Sequence, residues 1–418
     1  MTILLYSTIF LLGALLGGQL NRGIYRLAWN PRPIGPWSPP HSAAPPRRAW
    51  DRIPVIGWLG LRRESTLHGA GYWVRPALLE LAVAAGFAWL YWWQVEQAAL
   101  YPIHAPKPDL TILVAQYLVH VGLISLMIVA TFIDLDEKTI PDAITLPGTL
   151  LMLAMAAAFP KAALPDVLTV PVGGQYTGPI LASSPNAWAP WLNDPAGLAV
   201  GIGCLVGWAL AIWPKTATLR RGLIKAVRYL AVSMFRYPYW KTIVLIAAIC
   251  SLLIAAVWML GGESWESLLS ALVGMAFAGG LIWAVRIIGS VALGKEAMGF
   301  GDVTLMAMIG AWVGWQASLM VFFMAPFVAV VFCIVQWILT RRRDIAFGPY
   351  LCGATLVLLL FWDSIWKQAR PIFEMGWMIP QVLFFCLILM GGLLSLWRIT
   401  EQLLFRDSSP PRRQQTDV

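Results

Sequence analysis

The sequence predicts an all-α, polytopic transmembrane helical bundle, and three observations carry that prediction. The 418 residues are 59% hydrophobic and only 12% charged, about half the charged share of a soluble domain. The apolar residues fall in continuous runs of roughly 17 to 25, the length that crosses a bilayer core. The runs do not alternate with polar residues, which excludes a membrane β-barrel.

About eleven spans follow, within a range of nine to eleven: 2–18, 76–95, 111–133, 143–159, 197–213, 242–261, 267–293, 303–315, 317–340, 348–363 and 377–397. The 303–315 run is short enough to be re-entrant. The first run has no basic stretch ahead of it and is followed by Arg22 and Arg26, which marks a retained anchor with its N-terminus outside, not a cleaved signal. With that orientation only Lys107, Lys161, Lys367 and Arg370 of the thirty Lys and Arg fall in outer loops, and Arg286 lies within a span. The remainder lie inside, so the C-terminus is inside and the net charge of +9 is chiefly a topology signal. Nucleic-acid binding is not needed to account for it. Five cysteines, Cys204, Cys250, Cys333, Cys352 and Cys386, lie in the predicted spans without a CxxC pair, so no metal site is expected.

Five regions follow along the chain. Residues 1–75 hold the first span and a loop rich in Pro, Trp and Arg, expected to be extended or partly disordered. Residues 76–159 hold the next spans and an aspartate cluster. Residues 160–294 combine a Gly/Pro/Ser-rich outer loop (160–196), further spans, and a basic inner loop (215–241) patterned as an interfacial amphipathic helix. Residues 295–363 carry a GxGD tetrapeptide and an FGPYL segment, and 364–418 a last span and a disordered inner tail.

Acidic residues are few, and two clusters sit at the edge of a span: Asp134, Asp136 and Asp142 in FIDLDEKTIPDAITLPG, and Asp302 in GFGD. Four predicted spans separate them, so both reach the same, inner face. Two carboxylates that share a proton avoid the full cost of charge near hydrocarbon and titrate as a pair. One can then activate water while the other protonates a carbonyl and its leaving group. Blander roles fit each residue as well: helix N-caps for Asp142 and Asp302, and simple solvation for Asp136. Asp134 has the weakest structural excuse, because a helix C-terminus disfavours negative charge. Gly299 and Gly301 leave backbone without Cβ beside Asp302, open to close approach by another segment.

These residues resemble the bacterial type IV prepilin peptidases, membrane aspartic proteases of the GxGD type that also act as N-methyltransferases. FIDLDEKTIPDAITLP is similar to that family's "IDxDxxxxPDxxTLP" motif, and GKEAMGFGDVTLMAMIGAWVGWQ to its "GKEGMGxGDxKLxAxxGAWxGWQ" motif. RRRDIAFGPYL is similar to "IPFGPYL", and GGQLNRGIYRL, DRIPVIGWLGLRRE and YWVRPALLEL match N-terminal elements in the same order. The resemblance implies Asp134 and Asp302 as the catalytic pair, with Asp142, Asp136, Gly299 and Gly301 in support. It also implies a multi-pass protein of the bacterial inner membrane that cleaves the basic leader of prepilins or pseudopilins after a glycine, at the inner face.

Three departures stand out. The family's zinc-binding CxxC pairs are missing from the first loop, so zinc is not expected. The family's second activity, N-methylation of the new N-terminus with S-adenosylmethionine, is left open by the same loss. The stretch between the aspartate motifs is roughly a hundred residues longer than usual, and Thr304 stands where the family has lysine. A proton-coupled transporter would also use intramembrane aspartates, but no repeat symmetry accompanies them here.

Overall fold

The computed structural model of the chain describes residues 2–32, 34–102, 105–170, 174–213, 240–340 and 346–404, together with residues 232, 236 and 238. Most of the basic loop 215–241, Arg341–Arg343 and the tail beyond 404 lie outside the described residues. The helices are α1 (Thr2–Leu27), α2 (Ile56–Leu61), α3 (Ser65–His68), α4 (Val74–Tyr91), α5 (Leu110–Glu137), α6 (Asp142–Ala158), α7 (Pro195–Ile212), α8 (Trp240–Leu260), α9 (Gly262–Leu293), α10 (Phe300–Thr340), α11 (Gly348–Leu360), α12 (Trp362–Phe373) and α13 (Met378–Leu404).

Among the described residues, eight helices are long and apolar enough to cross a membrane, or up to nine if α11 and α12, which meet at 96°, form one span. The expected 143–159 span is α6, an apolar helix of 17 residues. Burial sorts the helices into layers. The most apolar stretch of α9 is 61% buried and that of α5 is 50% buried, so these are central; α8 and α13 are 6% buried and lie at the rim. Helices in lipid gain little by hiding apolar surface from one another, so contact is set by side-chain fit and hydrogen bonds.

The expected spans 303–315 and 317–340 are two arms of α10, broken at Gly314 (φ 83°, ψ 169°). The chain reverses there. A straight helix would carry Cys333 ~48 Å from Gly301. Yet Gly301 and Gly348 both lie against Ile140, and Tyr350, just beyond Gly348, comes within 3.7 Å of Cys333. The bend is tied to the loop after α6: Gln316 donates to Leu181 O and Ser184 O at 2.7 and 2.9 Å, and Trp315 to Ala182 O at 2.7 Å.

Parts of two loops expected to be irregular carry regular structure, while 34–48 has neither helix nor strand. The segment after α6 contains an antiparallel hairpin of β1 (Pro165–Val170) and β2 (Gly174–Pro179), with Pro165 opposite Pro179. Its base is held by Trp362, whose indole donates to Pro165 O at 2.8 Å. In the first loop, residues 49–68 form short helical turns around Trp58, which is 1% exposed. Asp51 takes two hydrogen bonds from Arg63 at 2.5 and 2.9 Å, and Glu64 pairs with Arg47. Composition concealed this order because partners 12 and 17 residues apart follow no helical period.

Candidate active site

The turn between α5 and α6 builds one wall of the site. Lys138 ends α5 in the left-handed region (φ 55°), and its N–H closes on Asp134 O at 2.8 Å. Asp134 therefore occupies the last turn of α5, and its side chain is buried. Asp142 is the first residue of α6, behind Pro141 at the N-cap position, and its side chain is hydrogen-bonded with Thr304. The N-cap reading of Asp142 is thus replaced by a position in the first helical turn.

The start of α10 builds the opposite wall. Asp302 is the third residue of that helix, buried, and turned back toward Gly299, as a carboxylate at this position commonly is. A Cβ on Gly301 would lie 2.9 Å from Ile140 Cβ and 3.2 Å from Ile140 N. The second glycine of the GxGD thus lets the start of α10 press against the turn that follows Asp134. Gly299 is under no such pressure, its nearest neighbour being Asp302 Oδ2 at 3.6 Å.

Asp134 and Asp302 line one cleft of about 380 Å³ with Asp142, Gly299 and Gly301. Lys138, Thr139 and Ile140 floor it, and Leu27 and Trp29 at the exit of α1 flank it. That flank is fixed by Glu137, whose carboxylate accepts from the Trp29 and Asn30 amides at 2.6 and 3.0 Å. Asp136 points elsewhere. It forms a two-pronged ion pair with Arg75 at 2.8 and 2.9 Å, and Arg75 lies over Phe132 at 4.8 Å.

Two residues outside the sequence-based site belong to it by geometry. The Gly348 N–H donates to Asp134 Oδ2 at 3.1 Å, and a Cβ at 348 would sit 2.6 Å from that oxygen. The FGPYL segment carried the signal, but nothing in its spacing says that it reaches Asp134. Glu137 was legible only as one more acid in a loop.

A second buried carboxylate, Glu80, lies apart from the cleft. It accepts from Trp58 Nε1 at 2.8 Å, Asn21 Nδ2 at 3.2 Å and Val55 N at 2.6 Å, which pins the first loop to α1 and α4. Beside it, a cavity of about 20 Å³ is lined by Gly18, Asn21, Tyr25 and Trp58. Among the described residues, no group of three or more His, Cys, Asp and Glu is arranged to hold a metal ion.

Comparison with known proteins finds the same resemblance. Residues 230–334, which include Asp302 but not Asp134, match the type IV leader peptidase family. The chain is 37% identical over 103 residues to the prepilin leader peptidase/N-methyltransferase of Aeromonas salmonicida (strain A449), covering 24% of this chain and 34% of that one. It is 37% identical over 113 residues to the same-named protein of Aeromonas hydrophila, covering 26% and 37%. For the Escherichia coli (strain K12) protein the identity is 37% over 89 residues, covering 20% and 40%. The matched regions thus span about a third of the length of these curated relatives. No solved structure matches the chain.

Proposed function

We propose that the chain is an aspartic endopeptidase of the prepilin peptidase type, set in the inner membrane of a bacterium. It removes the short basic leader of prepilin-like or pseudopilin-like proteins after a glycine, at the inner face. The observation that carries this reading is the meeting of Asp134 and Asp302 in one cleft, from helices far apart in the chain.

The chemistry follows from two carboxyl groups sharing a proton. Each carboxyl accepts one backbone N–H, Asp134 from Gly348 and Asp302 from Gly299; in the proposed reading Asp134 is the ionised partner and Asp302 carries the proton. Asp134 takes a proton from water as it attacks the scissile carbonyl, and Asp302 gives its proton to the carbonyl oxygen. The exchange reverses as the leaving amine is protonated. Asp142 and Lys138, in the same wall, surround the pair and add to its field. The relatives' names also carry N-methyltransferase, and whether this chain methylates the new N-terminus is read from the product's mass.

The test is co-expression with a membrane protein that carries a basic leader ending in glycine ahead of an apolar helix. The wild-type chain removes the leader. Asp134→Ala and Asp302→Ala each abolish removal while the protein remains in the membrane at normal abundance. Processing retained by either variant contradicts the assignment, and the N-terminal mass of the product reports whether a methyl group is added.

A further inference from the structure

A second cavity, of about 400 Å³, lies beside the carboxylate cleft and is lined almost wholly by apolar and small residues. Its walls come from three helices. From α7 come Gly203, Cys204, Gly207, Trp208 and Ala211; from α9, Ala276, Gly279, Gly280 and Trp283; from α10, Phe300, Val303, Thr304 and Ala307. On each helix these positions recur three or four residues apart, so each presents one continuous face. On α7 the lining runs from Val200 to Ile212, ~18 Å along the axis. The space is therefore a groove that follows the helices.

Its floor is open because the helices carry glycines there. α7 and α9 touch where Gly201 meets Trp265, Leu269 and Leu272. On the groove face, a Cβ on Gly203, Gly207 or Gly280 would meet nothing within 4 Å. The groove adjoins the candidate active site at Phe300, which lines both cavities. The Trp208 Nε1–H is shut off from water and has no hydrogen-bond partner among the described residues.

We propose that this groove seats the apolar helix of the substrate that follows the scissile bond, and so delivers that bond to Asp134 and Asp302. The proposal rests on the peptidase reading above and adds the dock to it. A groove with helical faces and a glycine wall admits the backbone of one more helix, and a helix lying in it ends at Phe300, at the mouth of the cleft. α7 belongs to the enlarged region between the aspartate motifs, which thereby gains a role in choosing substrate.

The experiment uses the full-length protein in detergent micelles and two synthetic peptides. One carries a basic leader, a glycine and a ~20-residue apolar helix; the other is cut back shortly after the glycine. Gly203→Leu and Gly207→Leu start from a Cβ that meets nothing within 4 Å, and Gly86→Leu, where the Cβ is equally open on α4, is the control. The expected result is a KM raised at least ~10-fold for the long peptide in both groove variants, with kcat kept, and no change for the short peptide or for Gly86→Leu. Unchanged KM for the long peptide, or equal losses on both peptides, overturns the dock.

A binding readout separates this proposal from the peptidase reading. Cys204 lies in the groove, so cysteines scanned along the apolar helix of the long peptide should form disulfides with it at helical intervals, and Cys204→Ser should remove them. If the wild-type chain cleaves neither peptide but these cross-links form, the peptidase reading fails and the dock stands. If the peptide is cleaved but cross-links no better to Cys204 than to Cys386 on the rim helix α13, lipid is the occupant and the dock falls.

Discussion

Two buried carboxylates with opposite surroundings separate structure from chemistry at the scale of single residues. Glu80 accepts three hydrogen bonds, so little capacity is left for a substrate or for water. Asp134 accepts one, from Gly348, and otherwise faces a cleft it shares with Asp302. The sequence singled out Asp134 through its motif, but it could not count donors, which arrive from distant segments. Gly348 shows what was missed and why. It sits in a recognisable element, yet its importance lies in a contact with Asp134 that leaves no trace in spacing. Gly348→Ala should push a methyl group into Asp134 Oδ2. A misplacement of about 1 Å in a reacting group costs on the order of 100-fold, so kcat for leader cleavage should fall by about that factor with KM little changed. Steady-state kinetics on a leader peptide checks it, and a KM effect alone would show that Gly348 serves binding instead.

At the scale of elements, the first loop replaces a composition-based expectation of disorder with a small ionic core. The Arg63 guanidinium holds the buried Asp51 carboxyl below the usual carboxylate range, helped by the Arg48 amide, which donates at 2.7 Å. Burial pushes the neighbouring Tyr72 hydroxyl up to about 12, and it donates to Leu61 O at 2.7 Å. A carboxyl lowered in the folded state stabilises above its unfolded pKa of about 3.9, and that contribution is lost as pH falls through the folded value. The loop should accordingly resist limited proteolysis unchanged across the neutral range and open only under strong acid. Asp51→Ala should open it at neutral pH, at a cost on the order of 3 kcal/mol for a broken buried pair. Equal protease resistance of the variant would show that Trp58 and Glu80, not the ion pair, hold the loop.

At the scale of the whole molecule, the long spans were legible because an apolar run of bilayer length has few other uses. α6 was legible as well, as the 143–159 run, and the break at Gly314 falls at the expected boundary between 303–315 and 317–340. The 96° bend of α11 into α12 was not. The hairpin of β1 and β2 was invisible because its strands carry prolines and glycines that read as loop. What the sequence did convey, through the even number of predicted spans between the aspartate clusters, is that both acids can reach one face. The return of α10 toward Gly348 brings a third element to that same place.

The central claim is that residues 134 and 302 face one another across a single cleft, and proximity can be measured without any substrate. The five native cysteines are replaced, single cysteines are placed at 134 and 302, and a short bifunctional thiol reagent is applied to the protein in membranes. The account predicts an intramolecular cross-link between the two positions, identified by mass after digestion, in most molecules that react at both sites. Efficient labelling at each site with no cross-link between them would contradict it.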